Sequence, residues 1–575
     1  MKRVSATQIA IAGFIVVLVV LGLILPVYWV YLLSTVAISA LIARSVGLVT
    51  NQTGLVTLCQ MSFAAIGGWV VSWMALAWPE APFLLHLLAG GLAAGVIGLL
   101  IGVATVRIRG IEFAVVTLGF AAALDLVLRQ GSFPGVGTGT AVAPLAPFDE
   151  PFGYFALCWA VLLVAQLAIG ALSKTAHGLA WPALRGSERA AAALGVKVGS
   201  AKASAVAVGA LIAGVAGGLL AGQYGLLTTQ VFTPLTSMVY LATAVLCGAS
   251  LFSGAVLAGV FAVFIPELLR RVGLPIDIAN ALLAIAAFDV LRRGNGGLAE
   301  QLQAKLQDRA FRSIRLTCEL LPLEAESAGG SATRSTNSTD PTPCLEITDL
   351  TVAFGNVRVL EGVDLIARHG DVHALIGPNG AGKTTLVDAV TGFLANYAGT
   401  IAVDGSLVDG FTVHQRVRQG VRRTFQQPRG IDAMTVDEYL RLAADPHRID
   451  RRADVREFFG LPGGNVPIRL MDVGSRRILE IAGALVSSPR LLLIDEPAAG
   501  LDVAQSLELA ERVRRLPALF GCAVLLIEHD MSFVRAASNT TTVLDGGRVI
   551  ATGPTAEVLA DPRVIAAYLG TEIAQ

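Results

Sequence analysis

The sequence predicts a multi-domain protein, in which an all-α polytopic membrane domain is followed by an α/β domain that carries a phosphate-binding loop. The chain has 575 residues, of which 54% are apolar and only 15% are charged. This balance lies far outside the range of soluble proteins. Long apolar segments fill residues 1–300, and a strand, a glycine-rich loop and a helix pattern follow at residues 372–391.

Charge is distributed unevenly along the chain. Residues 1–300 contain 15 Lys and Arg and 10 Asp and Glu, whereas the remaining residues contain 28 and 33. The second part therefore has the composition of an ordinary soluble domain. The net charge is zero and no basic stripe is visible, which argues against nucleic-acid binding. The six cysteines lack the close pairing of a zinc site or a redox dithiol, so we expect free thiols.

The membrane helices are predicted from length, because a helix needs about 20 apolar residues to cross the hydrocarbon core. About ten segments reach this length, although eight or nine crossings remain possible. The first follows Lys2 and Arg3 like a signal peptide, but it continues to Val30 without a cleavage site, and we predict a membrane helix. The ten segments lie near residues 8–26, 28–46, 54–77, 83–105, 111–128, 153–172, 203–223, 231–250, 254–270 and 275–291.

Positive charge predicts the orientation of these helices, because short cytoplasmic loops retain Lys and Arg. An N-terminus on the cytoplasmic side places most loop Lys and Arg residues on that side. An even number of crossings then places everything after Arg293 there as well. Arg270 and Arg271 do not fit this arrangement. The residues that fit are Arg44, Arg107, Arg109, Lys174, Arg185, Arg189, Lys197 and Lys202.

We divide the chain into a membrane domain at residues 1–297, a connecting segment at 298–343 and an α/β domain at 344–575. Residues 298–315 combine mixed charge with apolar spacing, which predicts an amphipathic helix. Residues 326–343 lack a core-forming pattern and are predicted to be a flexible linker.

Residues 377–385 read GPNGAGKTT and form a complete phosphate-binding loop directly after the apolar run 372–376. The glycines let successive backbone N–H groups point at one anion, and the following helix adds its positive N-terminal end. Lys383 is predicted to neutralise the outer phosphates, and Thr384 to offer a hydroxyl to Mg²⁺. The predicted ATP-binding residues of this loop are Gly377, Asn379, Gly380, Ala381, Gly382, Lys383, Thr384 and Thr385.

Two further buried strands are predicted to deliver catalytic groups. The sequence LLLIDEPAAGLD at 491–502 ends a strand in two adjacent carboxylates, which point to opposite faces and so cannot share one role. Asp495 is placed to bind Mg²⁺, and Glu496 to polarise the attacking water. The sequence VLLIEHD at 524–530 brings His529 beside the phosphates. The predicted catalytic residues are Glu496, His529 and Lys383.

These motifs, with TFQQ at 424–427, together resemble the ATP-binding cassette of ABC transporters over residues 345–575. The resemblance implies an ABC ATPase domain that uses ATP and Mg²⁺. It implies that Phe354 stacks on adenine and that Gln426 contacts Mg²⁺ and the membrane domain. It also implies that Asp502 lies in the loop that crosses to a partner cassette.

One segment departs from the family pattern. The family signature, LSGGQ or a near variant, caps the ATP of the opposite cassette, whereas the aligned residues here read MDVGS at 471–475. Asp472 replaces the expected Ser, and a carboxylate near a phosphate repels it. We therefore predict an asymmetric pair of cassettes in which this signature supports hydrolysis poorly. A misplaced alignment, or a tolerated variant with the carboxylate turned away, is the alternative. The predicted signature residues are Asp472, Val473, Gly474 and Ser475.

Three other segments resemble branched-chain amino-acid importers. RIRGIEFAVVTLGF at 107–120 and HGLAWPALRGSERAAAALGV at 177–196 resemble their permease subunits, and DPRVIAAYLG at 561–570 resembles the tail of their ATPases. By this resemblance residues 177–196 contain the coupling helix that docks on a cassette. A plain cytoplasmic loop is the alternative.

Two carboxylates lie within predicted crossings, where an unpaired charge is costly. Glu112 and Asp125 either line the path of the solute or pair with Arg109 and Arg129 near the helix ends. The sequence pattern favours pairing. No residue pattern reveals the transported molecule.

The resemblance implies ATP-driven import of a small polar solute, an amino acid or an amide, across the cell (inner) membrane, with the ATPase domain in the cytoplasm. The implied partners are a second permease subunit, a second ABC ATPase subunit and an external solute-binding protein, although a homodimer is the alternative assembly. Two other functions stay open, an ABC exporter half-transporter and a membrane-anchored regulatory ATPase without transport. An exporter half would have about six long helices, and the helices here are shorter and more numerous.

Overall fold

A computed structural model describes residues 6–108, 110–273, 275–293, 296–311, 318, 342–425, 432, 434–445, 449–463 and 465–572. The chain divides into two compact units. The first contains residues 1–185 and 198–312, and the second contains residues 186–197 and 313–575. A short segment that interrupts the membrane helices in the chain, residues 186–197, is thus part of the second unit.

The first unit is all-α, as predicted. A helix lies at each of the ten segments predicted to cross the membrane. In the part of the chain that the structure describes, seven helices are long and apolar enough to span a membrane: α2 to α6, α9 and α11. The first, tenth and twelfth helices therefore stay predictions as crossings. The helices up to residue 310 are α1 Ala6–Ile24, α2 Val27–Gly47, α3 Gln60–Ala77, α4 Phe83–Ala104, α5 Ile111–Gly131, α6 Pro151–Leu172, α7 Ala176–Gly186, α8 Glu188–Ala193, α9 Val198–Tyr224, α10 Pro234–Cys247, α11 Phe252–Arg271, α12 Ile276–Arg293 and α13 Leu298–Ala310.

Small residues allow α9 to pack closely against α3 and α4. A Cβ atom added at Gly217 would lie 1.7 Å from the carbonyl oxygen of Ala64, and one added at Gly67 would lie 2.1 Å from that of Gly214. No side chain fits at these two positions without moving a helix backbone. Close backbone contact replaces the hydrophobic effect as the force that holds helices together in lipid.

Two charged residues of the helical unit have polar partners within it. Buried Arg44 donates to the side chain of Gln166 at 3.0 Å and to the carbonyl oxygen of Ala249 at 3.1 Å. The Asp125 carboxylate accepts from Arg129 at 2.9 Å, which confirms that this acidic residue is paired. The partner proposed for Glu112 was Arg109, which lies outside the described residues.

The two arginines that did not fit the predicted orientation are also paired. Arg270 and Arg271 both contact the Glu267 carboxylate, at 2.9 and 2.8 Å, and Tyr28 donates to the same carboxylate at 2.6 Å. The net charge of this helix end is therefore smaller than a count of Lys and Arg indicates, which weakens it as a topological signal.

Helix α13 carries an exposed apolar face. Its apolar residues Leu298, Leu302 and Leu306 share one face and are 43%, 62% and 56% exposed. The Glu300 carboxylate accepts from the backbone N–H of Gly297 at 3.2 Å and from the Ser250 hydroxyl, which fixes the start of the helix. An exposed leucine stripe beside a bundle of membrane helices is typical of a helix that lies at the lipid interface.

The second unit is an α/β domain with two sheets. A four-stranded antiparallel sheet has the order β2-β1-β4-β5, and a six-stranded sheet has the order β10-β9-β3-β8-β7-β6. All neighbours in the larger sheet are parallel except β10 and β9. The strands are β1 Pro343–Phe354, β2 Val357–Arg368, β3 Val372–Ile376, β4 Ala398–Val403, β5 Ser406–Leu407, β6 Val421–Arg423, β7 Leu491–Asp495, β8 Ala523–Ile527, β9 Thr540–Asp545 and β10 Arg548–Pro554. The helices are α14 Lys383–Thr391, α15 Val413–Gln419, α16 Val436–Ala443, α17 Arg452–Phe458, α18 Val473–Val486, α19 Val503–Phe520, α20 Met531–Ala537, α21 Thr555–Val558 and α22 Pro562–Glu572.

The order of the larger sheet brings the predicted motifs together. Strands β3, β8 and β7 are adjacent and parallel, and every residue of the three is buried. Their carboxyl ends therefore meet at one edge of the sheet. Ligands of open parallel sheets bind at this edge.

Candidate nucleotide-binding site

The phosphate-binding loop joins β3 to α14. Gly377, Gly380 and Gly382 have φ angles of 151°, 85° and 101°, a region that favours glycine. A Cβ atom at Gly377 would lie 2.0 Å from the carbonyl oxygen of Leu544, so this position also lacks space for a side chain. The loop ends in α14, which begins at Lys383, and its first N–H groups face the loop. This arrangement provides a concave set of donors for an anion.

The side chain of Lys383 lies across the loop. Its Nζ donates to the carbonyl oxygens of Gly377 and Pro378 at 2.6 and 2.9 Å. Burial lowers the pKa of Lys383, and the carboxylates of Glu496 and Asp495 oppose this effect. The lysine thus lies in the field of both predicted acidic residues.

Asp495 ends β7, where its side chain is only 8% exposed. Its Oδ2 accepts from Arg423 at 3.0 Å, and its backbone N–H donates to the hydroxyl of Thr424 at 3.1 Å. Burial raises the pKa of Asp495, Arg423 opposes this change, and neighbouring Glu496 adds to it. Sequence reasoning missed Arg423. The available signal was the pair of adjacent arginines at 422–423, immediately before TFQQ.

The residue after β7 has an unusual backbone conformation. Glu496 has a φ of 49°, and its backbone N–H donates to the carbonyl oxygen of Ile527 at 2.9 Å. A non-glycine residue in this region is strained, and such strain is common at functional sites. His529 follows β8, and its side chain is 65% exposed. Both catalytic candidates therefore lie at the same sheet edge as Lys383.

Glu528 is a second residue that sequence reasoning missed. It is fully buried. Its carboxylate accepts from the backbone N–H of Ala498 at 3.0 Å and from that of His529 at 2.7 Å. It thus connects the loop after β7 to the loop after β8. The signal was the acidic residue that precedes His529 at the end of a fully apolar strand.

The structure describes two of the three residues whose roles were implied by the family resemblance. Phe354 ends β1 with an exposed ring, 54% accessible. Gln426 lies outside the described residues. The Asp502 carboxylate caps α19 by accepting from the backbone N–H of Gln505 at 2.8 Å. The C-terminal helix α22 lies close to the loop, because Gly377 contacts the phenol of Tyr568, whose pKa burial raises to about 12.

The signature segment begins α18. The Asp472 carboxylate caps this helix, accepting from the Ser475 backbone N–H at 2.8 Å and from its hydroxyl at 2.7 Å. The same hydroxyl accepts from the backbone N–H of Cys318 at 2.8 Å. A negative charge therefore sits at the positive end of α18, and it already uses one of the first N–H groups of the helix.

Helix α8 lies against the cassette within the second unit. Ser187 caps it by accepting from Ala190 N–H at 3.2 Å. Gly195, just after the helix, accepts a hydrogen bond from the Nδ1 of His414 at 2.9 Å. The helix also borders a small cavity whose other walls come from β6, α16 and α18. The lining residues are Ala190, Ala193, Leu194, Arg422, Arg423, Thr424, Phe425, Tyr439, Glu480 and Ala484.

A cluster of Cys344, His369 and Asp404 has the spacing of metal ligands, with ligand atoms within 4.8 Å of one another. However, Asp404 already contacts His369 at 2.6 Å and Arg490 at 2.9 Å. The carboxylate is thus engaged on both oxygens.

The fold and this site define an ATPase of the ABC transporter class with a helical membrane unit in the same chain. The ABC transporter family model matches residues 360–499. A model described as the branched-chain amino acid transport system permease component matches residues 28–288. A third model, for the branched-chain amino acid ATP-binding cassette transporter, matches residues 548–574.

Several known proteins are similar to the second part of this chain. The high-affinity branched-chain amino acid transport ATP-binding protein BraF of Pseudomonas aeruginosa is 35% identical over 255 residues, which are 40% of this chain and 98% of BraF. LivG of Escherichia coli K12, with the same description, is 35% identical over 250 residues, 40% of this chain and 98% of LivG. The crystal structure of a nucleotide-free ATP-binding cassette from an ABC transporter is 26% identical, covers 40% of this chain and 99% of its own, and has a TM-score of 0.36.

The chain therefore belongs to the branched-chain amino acid ABC transporter family, with permease and ATPase fused. It hydrolyses ATP and couples hydrolysis to import across a membrane. The family match over residues 28–288 favours an importer permease over an exporter half.

Proposed function

We propose that this chain imports a branched-chain amino acid, or a closely related amino acid or amide, across the cytoplasmic (inner) membrane, with its cassette in the cytoplasm. The supporting observation is the combination of an importer-type permease segment with an ATPase half similar to BraF and LivG. By analogy the assembled transporter contains a second permease, a second cassette and an external solute-binding protein.

In this proposal the loop from Gly377 to Thr385 binds the phosphates of ATP, and Lys383 neutralises their outer charge. The carboxylate of Asp495 and the hydroxyl of Thr384 are hard oxygen donors and fit Mg²⁺, the ion that such donors prefer. Bound Mg²⁺ would neutralise the charge of the terminal phosphates. Gln426 is the third proposed contact of this ion, and Phe354 is proposed to stack on adenine.

Hydrolysis requires a group that orients the attacking water and one that senses the terminal phosphate. We assign the first role to Glu496, because it directly follows the carboxyl end of β7 and its backbone is strained. We assign the second to His529, whose exposed side chain follows the adjacent strand. Glu528 positions both loops through its bonds to their backbone N–H groups.

The signature of this chain is proposed to serve its partner's ATP poorly. The supporting observation is that the Asp472 carboxylate caps α18, at the end where a phosphate of the opposite ATP would bind. Two adjacent anions repel each other. An assembly of two identical chains would contain two such sites, so we favour a partner cassette with an intact signature.

The substrate assignment can be tested with the solute-binding protein that co-purifies with this chain. Isothermal titration calorimetry of that protein with leucine, isoleucine, valine, an amide and urea identifies the ligand. Micromolar or tighter binding of a branched-chain amino acid supports the proposal. Selective binding of urea would replace it with another solute, whereas the ATPase assignment would stand.

The transport assignment has an independent test. In the assembled complex, Lys383→Ala and Glu496→Gln should both abolish solute uptake. Uptake that survives both changes would instead indicate a membrane-anchored regulatory ATPase. Cysteine labelling of the loops would detect an exporter-type topology.

A further inference from the structure

Arg423 connects the nucleotide site to the rest of the cassette by two ionic contacts. Its side chain is only 4% exposed. One guanidinium nitrogen lies 2.5 Å from Asp388 on α14, and the other lies 3.0 Å from Asp495. A buried arginine between two carboxylates holds both in defined positions, because removing it would leave buried charges unpaired.

The contacts of Asp388 extend this connection to α8. Its second carboxylate oxygen lies 3.7 Å from the guanidinium of Arg189, which belongs to α8. The same guanidinium stacks over the ring of Phe393 at 5.4 Å. Helix α8 is therefore joined to Asp495 through alternating charges, from Arg189 to Asp388 to Arg423.

A second route through aromatic rings runs beside the ionic one. Phe393 contacts Phe425 edge to face, with ring centroids 6.0 Å apart. Arg423 lies over the ring of Phe425 at 4.9 Å. The two routes share Arg189 and Arg423, so a displacement of α8 would act on Arg423 through both.

We propose that Arg423 is a positioning residue that transmits the location of α8 to Asp495, and so sets how well this carboxylate holds Mg²⁺. The inference rests on the proposed role of Asp495 as a ligand of the ion. Residues just behind a metal ligand change metal affinity by about 10- to 100-fold when they are removed. In this chain Arg423 is also linked to α8. Among the described helices, α8 alone belongs to the second unit and yet lies between membrane helices in the sequence.

The chain offers a matched control for a merely structural role. Arg422 is the adjacent residue of β6 and is also buried, 3% exposed. It donates to the hydroxyl of Ser487 at 2.7 Å and to the carbonyl oxygen of Val417 at 2.8 Å. Loss of Arg422 removes a buried arginine of the same strand whose described hydrogen bonds go to Ser487 and Val417.

The experiment uses the full chain in nanodiscs with its partner subunits, and Mn²⁺ as the paramagnetic probe of the metal position. Electron paramagnetic resonance measures the Mn²⁺ concentration for half-saturation in the presence of ATP. Arg423→Gln should raise this concentration about tenfold, whereas Arg423→Lys should restore part of the affinity. Arg422→Gln should lower the yield of folded protein but leave the concentration unchanged.

A double-mutant cycle tests the link to α8. Arg189→Gln should weaken Mn²⁺ binding by about threefold alone and add almost nothing to Arg423→Gln, because coupled residues are not additive. An unchanged Mn²⁺ affinity in Arg423→Gln, or full additivity with Arg189→Gln, would overturn the inference. If the wild-type chain bound no MnATP at all, the proposed role of Asp495 and the loop from Gly377 to Thr385 would fail instead.

Discussion

Glu480 provides a prediction whose size can be worked out from the structure. It lies on α18 at the cavity that borders α8, and its side chain is only 12% exposed. Burial raises the pKa of Glu480 from 4.5 to about 7, although Arg477, 3.5 Å away, opposes this change. The other polar residues that line the cavity are Arg422, Arg423, Thr424 and Tyr439.

A carboxyl group whose pKa is raised by folding destabilises the folded state at every pH at which the same group is ionised in the unfolded chain. The cost is absent below pH 4.5, grows between pH 4.5 and 7, and is constant above pH 7. Between about pH 5 and pH 8 the cost to the wild type grows by roughly 2 to 3 kcal/mol, at about 1.4 kcal/mol per pKa unit. Glu480→Gln keeps the shape of the side chain but removes this ionisation.

Hydrogen exchange of peptides from α18, measured in the full chain at each pH, checks this prediction. The protection of Glu480→Gln relative to the wild type should rise by roughly 50-fold between about pH 5 and pH 8, the equivalent of that free energy. Intrinsic exchange rates cancel because both proteins are compared at the same pH. Glu511→Gln is the control, since Glu511 is 43% exposed and its contact with Arg515 contributes little. A ratio that does not change with pH would refute the reasoning.

Three other changes have defined outcomes. Gly217→Ala should prevent stable packing of α9 on α3 and severely reduce the yield of folded protein. Gly170→Ala should be tolerated, because no atom lies within 4 Å of the added Cβ. Size-exclusion profiles in detergent distinguish the two variants. Asp472→Ser should raise ATP turnover of the assembled complex severalfold, because it removes the anion that caps α18; an unchanged rate would mean that the carboxylate is tolerated. Glu528→Gln should lower the ATPase rate by about tenfold by loosening both catalytic loops; a rate equal to that of the wild type would show that the loops need no such anchor.

The local motifs made much of the nucleotide site predictable. A strand that runs into GPNGAGKTT positions Lys383 by itself, and the apolar run 491–494 places Asp495 at the carboxyl end of a buried strand. Hydropathy similarly located the helices of the membrane unit, because a crossing is defined by its own length and composition. These features depend only on residues that are close in the sequence.

The features that the sequence did not reveal depend on residues that are distant in the chain. The role of Arg423 requires that β6 lies beside β7, and that of Glu528 requires that β7 lies beside β8. Neither neighbour relation follows from a motif. The carboxylate of Asp472 was expected to repel phosphate, but its hydrogen bonds to Ser475, which make it a helix cap, became visible only in three dimensions.

The most direct test of the central claim is uptake of radiolabelled solute into proteoliposomes that contain the assembled transporter, with ATP and Mg²⁺ supplied on the cassette side. If ATP bound at the loop of Lys383 drives the membrane helices of the same chain, the wild type accumulates solute only when nucleotide is present. Lys383→Ala should then show no accumulation above liposomes without protein. Equal accumulation by Lys383→Ala and the wild type would contradict the account.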